Sequence, residues 1–223
     1  MDVIDAIKSR KSIRGFKPDA VSKELLKEIL EAACRAPSAM NTQPWEFYVV
    51  GGDVLKKMRV EIVDSLNSGV PIIPEHNVTG WPKESVFRDR QVGLAIELFK
   101  LMDIQREDTE KRAAWMERGF RFFDAPAVII IANDCQLTET GPLLDLGAAM
   151  QNICLAALAQ GLGTCIEDQG VLYPKICRKY ANIPENKRIV ISIAIGYPDP
   201  DFPANKLVSS REAVDKVTTW TGF

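Results

Sequence analysis

Five cations and no acid fill the ten residues from Lys8 to Lys17, KSRKSIRGFK, in a chain whose net charge is only −2. The run begins where a short helix ends, so an irregular stretch can project Arg10, Ser12 and Arg14. Guanidinium forks match the oxygens of a phosphate, and a serine hydroxyl adds a further donor. Taken alone, the segment reads equally well as a solvated charge run.

Three other stretches carry chemistry. In APSAMNTQPWEF (36–47) two prolines bracket a polar loop with Ser38, Asn41, Thr42 and Gln43. Such a loop can offer amides and hydroxyls to a flat heteroaromatic ring; it also reads as an ordinary helix-to-strand connection. AALAQGLGTCIE (156–167) suggests a dinucleotide loop, but it lacks the third glycine and a strand follows where a helix should, which rejects a Rossmann site. Arg211, after a proline-rich tail, has no meaning by itself.

What is missing is equally informative. His76 is the one histidine, so neither a Ser-His-Asp triad nor a histidine-rich metal site can be assembled; it is expected on a surface loop. The five cysteines are odd in number, widely spaced and form no C-x-x-C pair, so no metal is expected, and buried reduced thiols are. With 46% hydrophobic and 26% charged residues in 223, the chain is of ordinary globular type and long enough for a real core. The near-neutral balance excludes a broad basic nucleic-acid surface. The start lacks the order of a signal peptide and AVIII (127–131) is too short to span a bilayer, so a cytoplasmic protein is expected, with no membrane partner.

These groups need elements to position them. Asp2 opens a short amphipathic helix with Val3, Ile4 and Ile7, and Ser22 caps one that turns Leu25, Leu26, Ile29, Leu30 and Ala33 inward. Strands are expected at 45–50, 127–132, 163–167 and 188–196. Helices are expected around Val54–Leu66, Val86–Met102, Glu107–Phe122, Pro142–Gln160 and Pro174–Tyr180, with irregular chain over 67–85. Helices outnumber strands without alternating with them, which predicts α+β.

In this order, RKSIRGF, PSAMNTQPW, AxxxGLGT and GYPDPDFPAN…SSR resemble the nitroreductase family of flavoproteins over nearly the whole chain. The resemblance implies a nitroreductase-like fold. It has a central mixed, mainly antiparallel sheet flanked by helices, in one FMN-binding domain spanning 1–223 and an intertwined homodimer. Segment 67–123 would form an irregular lid and 197–223 a C-terminal extension. It implies FMN as cofactor and NAD(P)H as transient donor. Nitroaromatics or quinones would be acceptors in a two-half reaction, with reductive dehalogenation or enoyl-type reduction as the nearest alternatives and a non-enzymatic FMN-binding protein as a more distant one. Arg10, Ser12 and Arg211 would hold the phosphate, with Lys11 nearby, and Arg14 would sit at the pyrimidine edge. Pro37, Ser38 and Asn41 would reach the partner subunit's flavin, and main-chain N–H groups of about Ile166, Glu167 and Asp168 to Gln169 would face the nitrogen that takes hydride. The sequence departs from the family pattern in lacking a glycine at Asp168 or Gln169 and in having Ser209 where a basic residue is common. Trp81, Phe87, Trp115, Phe120, Phe122 and Phe123 would cover an aromatic acceptor, or, for the phenylalanines, equally pack between helices.

Overall fold

A computed structural model describes residues 2–78 and 80–223. Four strands, β1 (Glu46–Gly51), β2 (Ala127–Asp134), β3 (Gly163–Glu167) and β4 (Lys187–Gly196), form one sheet in the order β1-β2-β4-β3. Every neighbouring pair of these strands is antiparallel. The one parallel pairing among the described residues is an isolated bridge from Ser12 to Thr164 of β3.

Helices α1 (Val3–Ser9), α2 (Lys23–Ala33), α3 (Gly52–Asn67), α4 (Val86–Leu101), α5 (Thr109–Phe120), α6 (Leu143–Ala159), α7 (Pro174–Ala181) and the single turn α8 (Val214–Val217) complete the chain. Because successive strand side chains point to opposite faces, β2 feeds two cores. Ile129 and Ile131 meet Leu26, Ile29 and Ala33 of α2 and Leu146, Ile153 and Ala157 of α6. Val128 and Ile130 meet Leu55, Met58 and Ile62 of α3, Trp115 and Phe120 of α5 and Ile176 of α7. A strand buried on both faces explains the unbroken apolar run that marks β2 in the sequence.

Local chemistry sets most boundaries. Ser22 Oγ accepts from Leu25 N–H at 3.1 Å and opens α2; Pro142 stands at the cap of α6 rather than as its first residue, and Gly161, with φ +75°, ends that segment in the left-handed region. The main departure is at α5. It stops at Phe120, and Phe122, Phe123 and Asp124 follow at φ 54°, 52° and 58°, a left-handed turn that disfavours residues with a Cβ. Ion pairs from Asp124 to Arg118 and Arg121, both at 2.9 Å, hold it.

Exposure corrects two expectations and adds a third observation. Cys34 and Cys135 lie at the surface, and only Cys154, Cys165 and Cys177 are buried. The six aromatics divide: Trp115, Phe120, Phe122 and Phe123 are core residues, while Trp81 and Phe87 are exposed. The apolar face of α1 is open, with Val3, Ile4 and Ile7 each about half exposed or more.

Candidate functional site

The cationic segment lies along the outer edge of β3. Ile13 N–H donates to Thr164 O and Lys17 N–H to Tyr197 O, each at 2.9 Å. Asn205, itself only 5% exposed, then fixes the chain at Arg14. Its Oδ1 accepts from Arg14 N–H at 2.7 Å and Gly15 N–H at 3.1 Å, while Nδ2 donates to Gly15 O at 2.7 Å and Asp199 O at 2.8 Å. Gly15 must lack a side chain, since a Cβ there would come within 2.0 Å of the Phe202 ring. From the other side, Arg118 Nη2 donates to Arg14 O at 3.2 Å and Phe123 O at 3.4 Å. The Arg14 guanidinium rests 5.9 Å from the centre of the Phe123 ring.

Arg10, Lys11, Ser12 and Arg14 are all half-buried. None of the three cations has a carboxylate partner among the described residues. Partly desolvated, unpaired cations on a braced backbone call for an anion.

Just beyond, β3 ends at the sheet's open edge. Ile166 and Asp168 are half-buried and Glu167 is buried, and Asp168 N–H meets no acceptor among the described residues. The Glu167 carboxyl turns inward: Ser192 Oγ donates to the Glu167 main-chain O at 2.9 Å and lies against its Oε1, while Gly170 N–H donates to Oε2 at 2.9 Å. Burial pushes this carboxyl up to about 8, against the pull of the Ser192, Gly170 and Gln169 donors, so it is largely neutral at pH 7. Burial also raises the Cys165 thiol to about 12, despite the nearby Arg14 charge and Ser12 hydroxyl. That thiol is no thiolate nucleophile at neutral pH.

The remaining expected residues stand apart. Met40, Asn41 and Gln43 adopt φ 50°, 61° and 48° in a loop where Pro37 and Asn41 are exposed and Ser38 is half-buried. Ser38 Oγ accepts from Gln43 N–H at 3.0 Å, and Asp145 of α6 accepts from Ala39 N–H at 3.3 Å. No hydrogen bond or ion pair joins this loop to Arg10, Ser12 or Arg14 among the described residues. Arg211 is exposed too and, among the described residues, donates only to Ser209 and Ser210 of its own turn. His76 is half-buried in the irregular segment before α4.

Within one chain, therefore, the fold gathers Arg10, Lys11, Ser12 and Arg14 along β3, and among the described residues neither the loop of Pro37, Ser38 and Asn41 nor Arg211 is bonded to them. Sequence reasoning missed Asn205, Arg118 and the inward Glu167 carboxyl. Asn205 belongs to the PAN of the tail motif, but nothing local marks it as the brace of a segment 190 residues away.

The gathered residues fit FMN on two counts. Half-buried cations suit its phosphate and the electron-rich edge of its ring, and a free main-chain N–H suits a ring nitrogen. Among the described residues no group of His, Cys, Asp and Glu is arranged to hold a metal, and no helix is long and apolar enough to cross a membrane.

Comparison with known proteins agrees with this geometry. The Nitroreductase family profile matches residues 7–197. The chain is 33% identical to a nitrobenzene nitroreductase of Ectopseudomonas oleovorans, covering 97% of this chain and 95% of that one. It is 32% identical to a chloronitrobenzene nitroreductase of Comamonas testosteroni, with the same coverage of 97% and 95%. In three dimensions it superposes with a TM-score of 0.91 at 25% identity on the FMN-dependent nitroreductase NfnB from Mycobacterium smegmatis in complex with NADPH, over 98% of this chain and 97% of that one. A profile match across most of the chain, full-length relatives and a shared fold carry one conclusion: the chain belongs to the nitroreductase family.

Proposed function

We propose that this protein is an FMN-dependent reductase that takes electrons from NAD(P)H and passes them to electron-poor aromatics, nitroaromatics first and quinones second. The observation that carries this reading is the set of half-buried, unpaired cations at Arg10, Lys11 and Arg14 on a backbone braced by Asn205. Bound FMN supplies the hydride chemistry, which leaves the protein to bind, orient and tune it. Arg10, Lys11 and Ser12, joined by Arg211, hold the phosphate. Arg14 faces the pyrimidine edge, where two-electron reduction places negative charge. The N–H groups from Ile166 to Asp168 face the ring nitrogen that takes hydride.

The site is completed by a second copy of the chain. The loop with Pro37, Ser38 and Asn41 has no hydrogen bond to its own chain's cations among the described residues, and Met40 at its tip is 96% exposed. The tail presents Val208, Val214, Val217, Trp220 and Phe223, and α1 presents Val3, Ile4 and Ile7, all exposed. Apolar surface of that extent marks a protein interface. A homodimer covers it and brings the Asn41 loop to the partner's flavin, with the segment 67–123 and its exposed Trp81 and Phe87 sheltering the acceptor. The reading places the enzyme in the cytoplasm, where its cysteines stay reduced.

Two measurements test this. Purified protein is expected to be yellow, to release FMN and not FAD on acid treatment, and to bleach anaerobically with NADPH or NADH; nitrobenzene then restores the oxidised spectrum. Recovery of FAD, or a flavin that neither nucleotide reduces, contradicts it.

A further inference from the structure

Arg118 of α5 joins three parts of the molecule that are far apart in sequence. Its Nη2 donates to the carbonyls of Arg14 and Phe123, at 3.2 and 3.4 Å. Its Nη1 pairs with Asp124 Oδ2 at 2.9 Å. Its guanidinium carbon stands 4.8 Å from the centre of the Phe202 ring, in the tail. Nε is buried without a partner, a cost borne in placing the rest of the fork. The Arg14 peptide groups are thereby gripped on both sides, N–H by Asn205 and C=O by Arg118. Phe123, whose ring supports the Arg14 guanidinium, is held in its left-handed turn by the same side chain.

We propose that Arg118 is a positioning residue for Arg14: it fixes where the Arg14 charge meets the pyrimidine edge, and thereby sets the flavin's reduction potential. This rests on the placement of Arg14 given under the proposed function. Asp124 neutralises the Arg118 charge, so little of its influence on the ring is direct Coulomb attraction; it acts through geometry. Lysine keeps the charge but has no planar fork to reach two carbonyls and a carboxylate at once. A residue that merely cements α5 to the core would change stability and leave the flavin alone.

The test is the two-electron midpoint potential of the FMN-loaded protein in Arg14→Gln, Arg118→Lys, Arg118→Gln and the double variant Arg14→Gln/Arg118→Gln, with thermal melts alongside. Arg14→Gln is expected to lower the reduction equilibrium constant about tenfold, equivalent to about 30 mV for a two-electron couple. Both Arg118 variants are expected to lower it about threefold or more, with lysine no better than glutamine. The double variant is expected to fall no further than Arg14→Gln alone, because both changes remove one interaction. An Arg118→Lys protein at the parent potential beside a lowered Arg118→Gln would show that charge and not placement matters, and would overturn the proposal. So would additive shifts, lowered melting points at unchanged potential, or loss of flavin from both Arg118 variants while Arg14→Gln stays loaded. If Arg14→Gln shifts the potential and Arg118 variants do not, the proposal alone fails. If Arg14→Gln shifts nothing, the placement of Arg14 fails and takes the proposal with it.

Discussion

Two stretches with equally suggestive sequences end in opposite physical states. The segment around Arg14 is tied at both peptide groups, packed against Phe202 and Phe123, and linked to the edge of β3. The loop from Ser38 to Gln43 holds a left-handed backbone at three residues, exposes its most apolar side chain and bonds mostly within itself, with Asp145 of α6 as its distant acceptor. A backbone in a sparsely populated conformation persists where surroundings over-determine it. The first stretch has no residue in that region and is braced within one chain; for the second, the partner chain of the dimer proposed above would supply the surroundings. The comparison divides the site into a preformed half and a half that waits for its partner, and each half predicts its own response to mutation.

The largest effect is expected at the brace of the preformed half. Asn205→Leu removes four hydrogen bonds and strands buried main-chain groups, each costing about 1–3 kcal/mol. A loss of roughly 4 kcal/mol or more in urea unfolding is expected, with FMN no longer retained at micromolar protein. Full stability and a full flavin complement would break the account of this half.

Glu167→Gln sharpens it next, through pH. The carboxyl titrates near 8 in the folded protein against 4.5 as the reference value. A raised carboxyl pKa means the folded state holds the proton longer. This contribution is therefore whole below pH 4.5 and drains away as pH rises through about 8. Glutamine imitates the neutral acid, since its amide can donate to Ser192 and its oxygen can accept from Gly170. Variant and parent should match near pH 5, and the variant should be the more stable near pH 9, by on the order of 3 kcal/mol. Parallel stability–pH curves would show that Glu167 is ionised throughout.

Arg14→Gln deletes charge while keeping a donor. At about 4 Å and an effective dielectric of about 20, Coulomb's law sets a ceiling of roughly 4 kcal/mol. Access of water reduces this to about 1–2 kcal/mol, a potential lower by ~20–45 mV. Slower reduction by NAD(P)H should follow, with FMN still bound. The smallest effect on folding is expected from Asn41→Leu in the waiting half. Leucine tolerates the left-handed backbone at Asn41 (φ 61°) less well than asparagine, a cost of about 1–2 kcal/mol, and flavin retention or turnover should drop. A larger stability loss with unaltered flavin binding would reverse the contrast between the halves.

Much of this was legible in the amino-acid order because local rules governed it. GTCIE is β3, Ser22 caps α2 as its hydroxyl requires, and Gly161 ends the α6 segment. Where long-range contacts overrode local preference, the reading fell short. Phe122 to Asp124 bear no glycine to announce a left-handed turn; the ion pairs of Asp124 with Arg118 on α5 and Arg121 just past it hold it. Cys34 and Cys135 stand at the end of α2 and just past β2, where the packing that buries most free cysteines has run out. Arg10, Ser12 and Arg14 were legible as a charge anomaly. Asn205 and Arg118 were not, since their role exists only once the tail and α5 meet the N-terminal segment.

The central claim, a flavin site shared between two chains, is tested most directly by mixing inactive parents. Arg10→Ala damages the cationic half and Asn41→Leu the loop half. In a mixed dimer one site carries both lesions and the other carries neither. Co-refolded chains, separated by distinct affinity tags, are predicted to regain flavin and NADPH-driven nitrobenzene reduction at a single intact site per dimer. Mixed dimers that form and stay as inactive as both folded parents would show that each site is built within one chain, and would contradict the account.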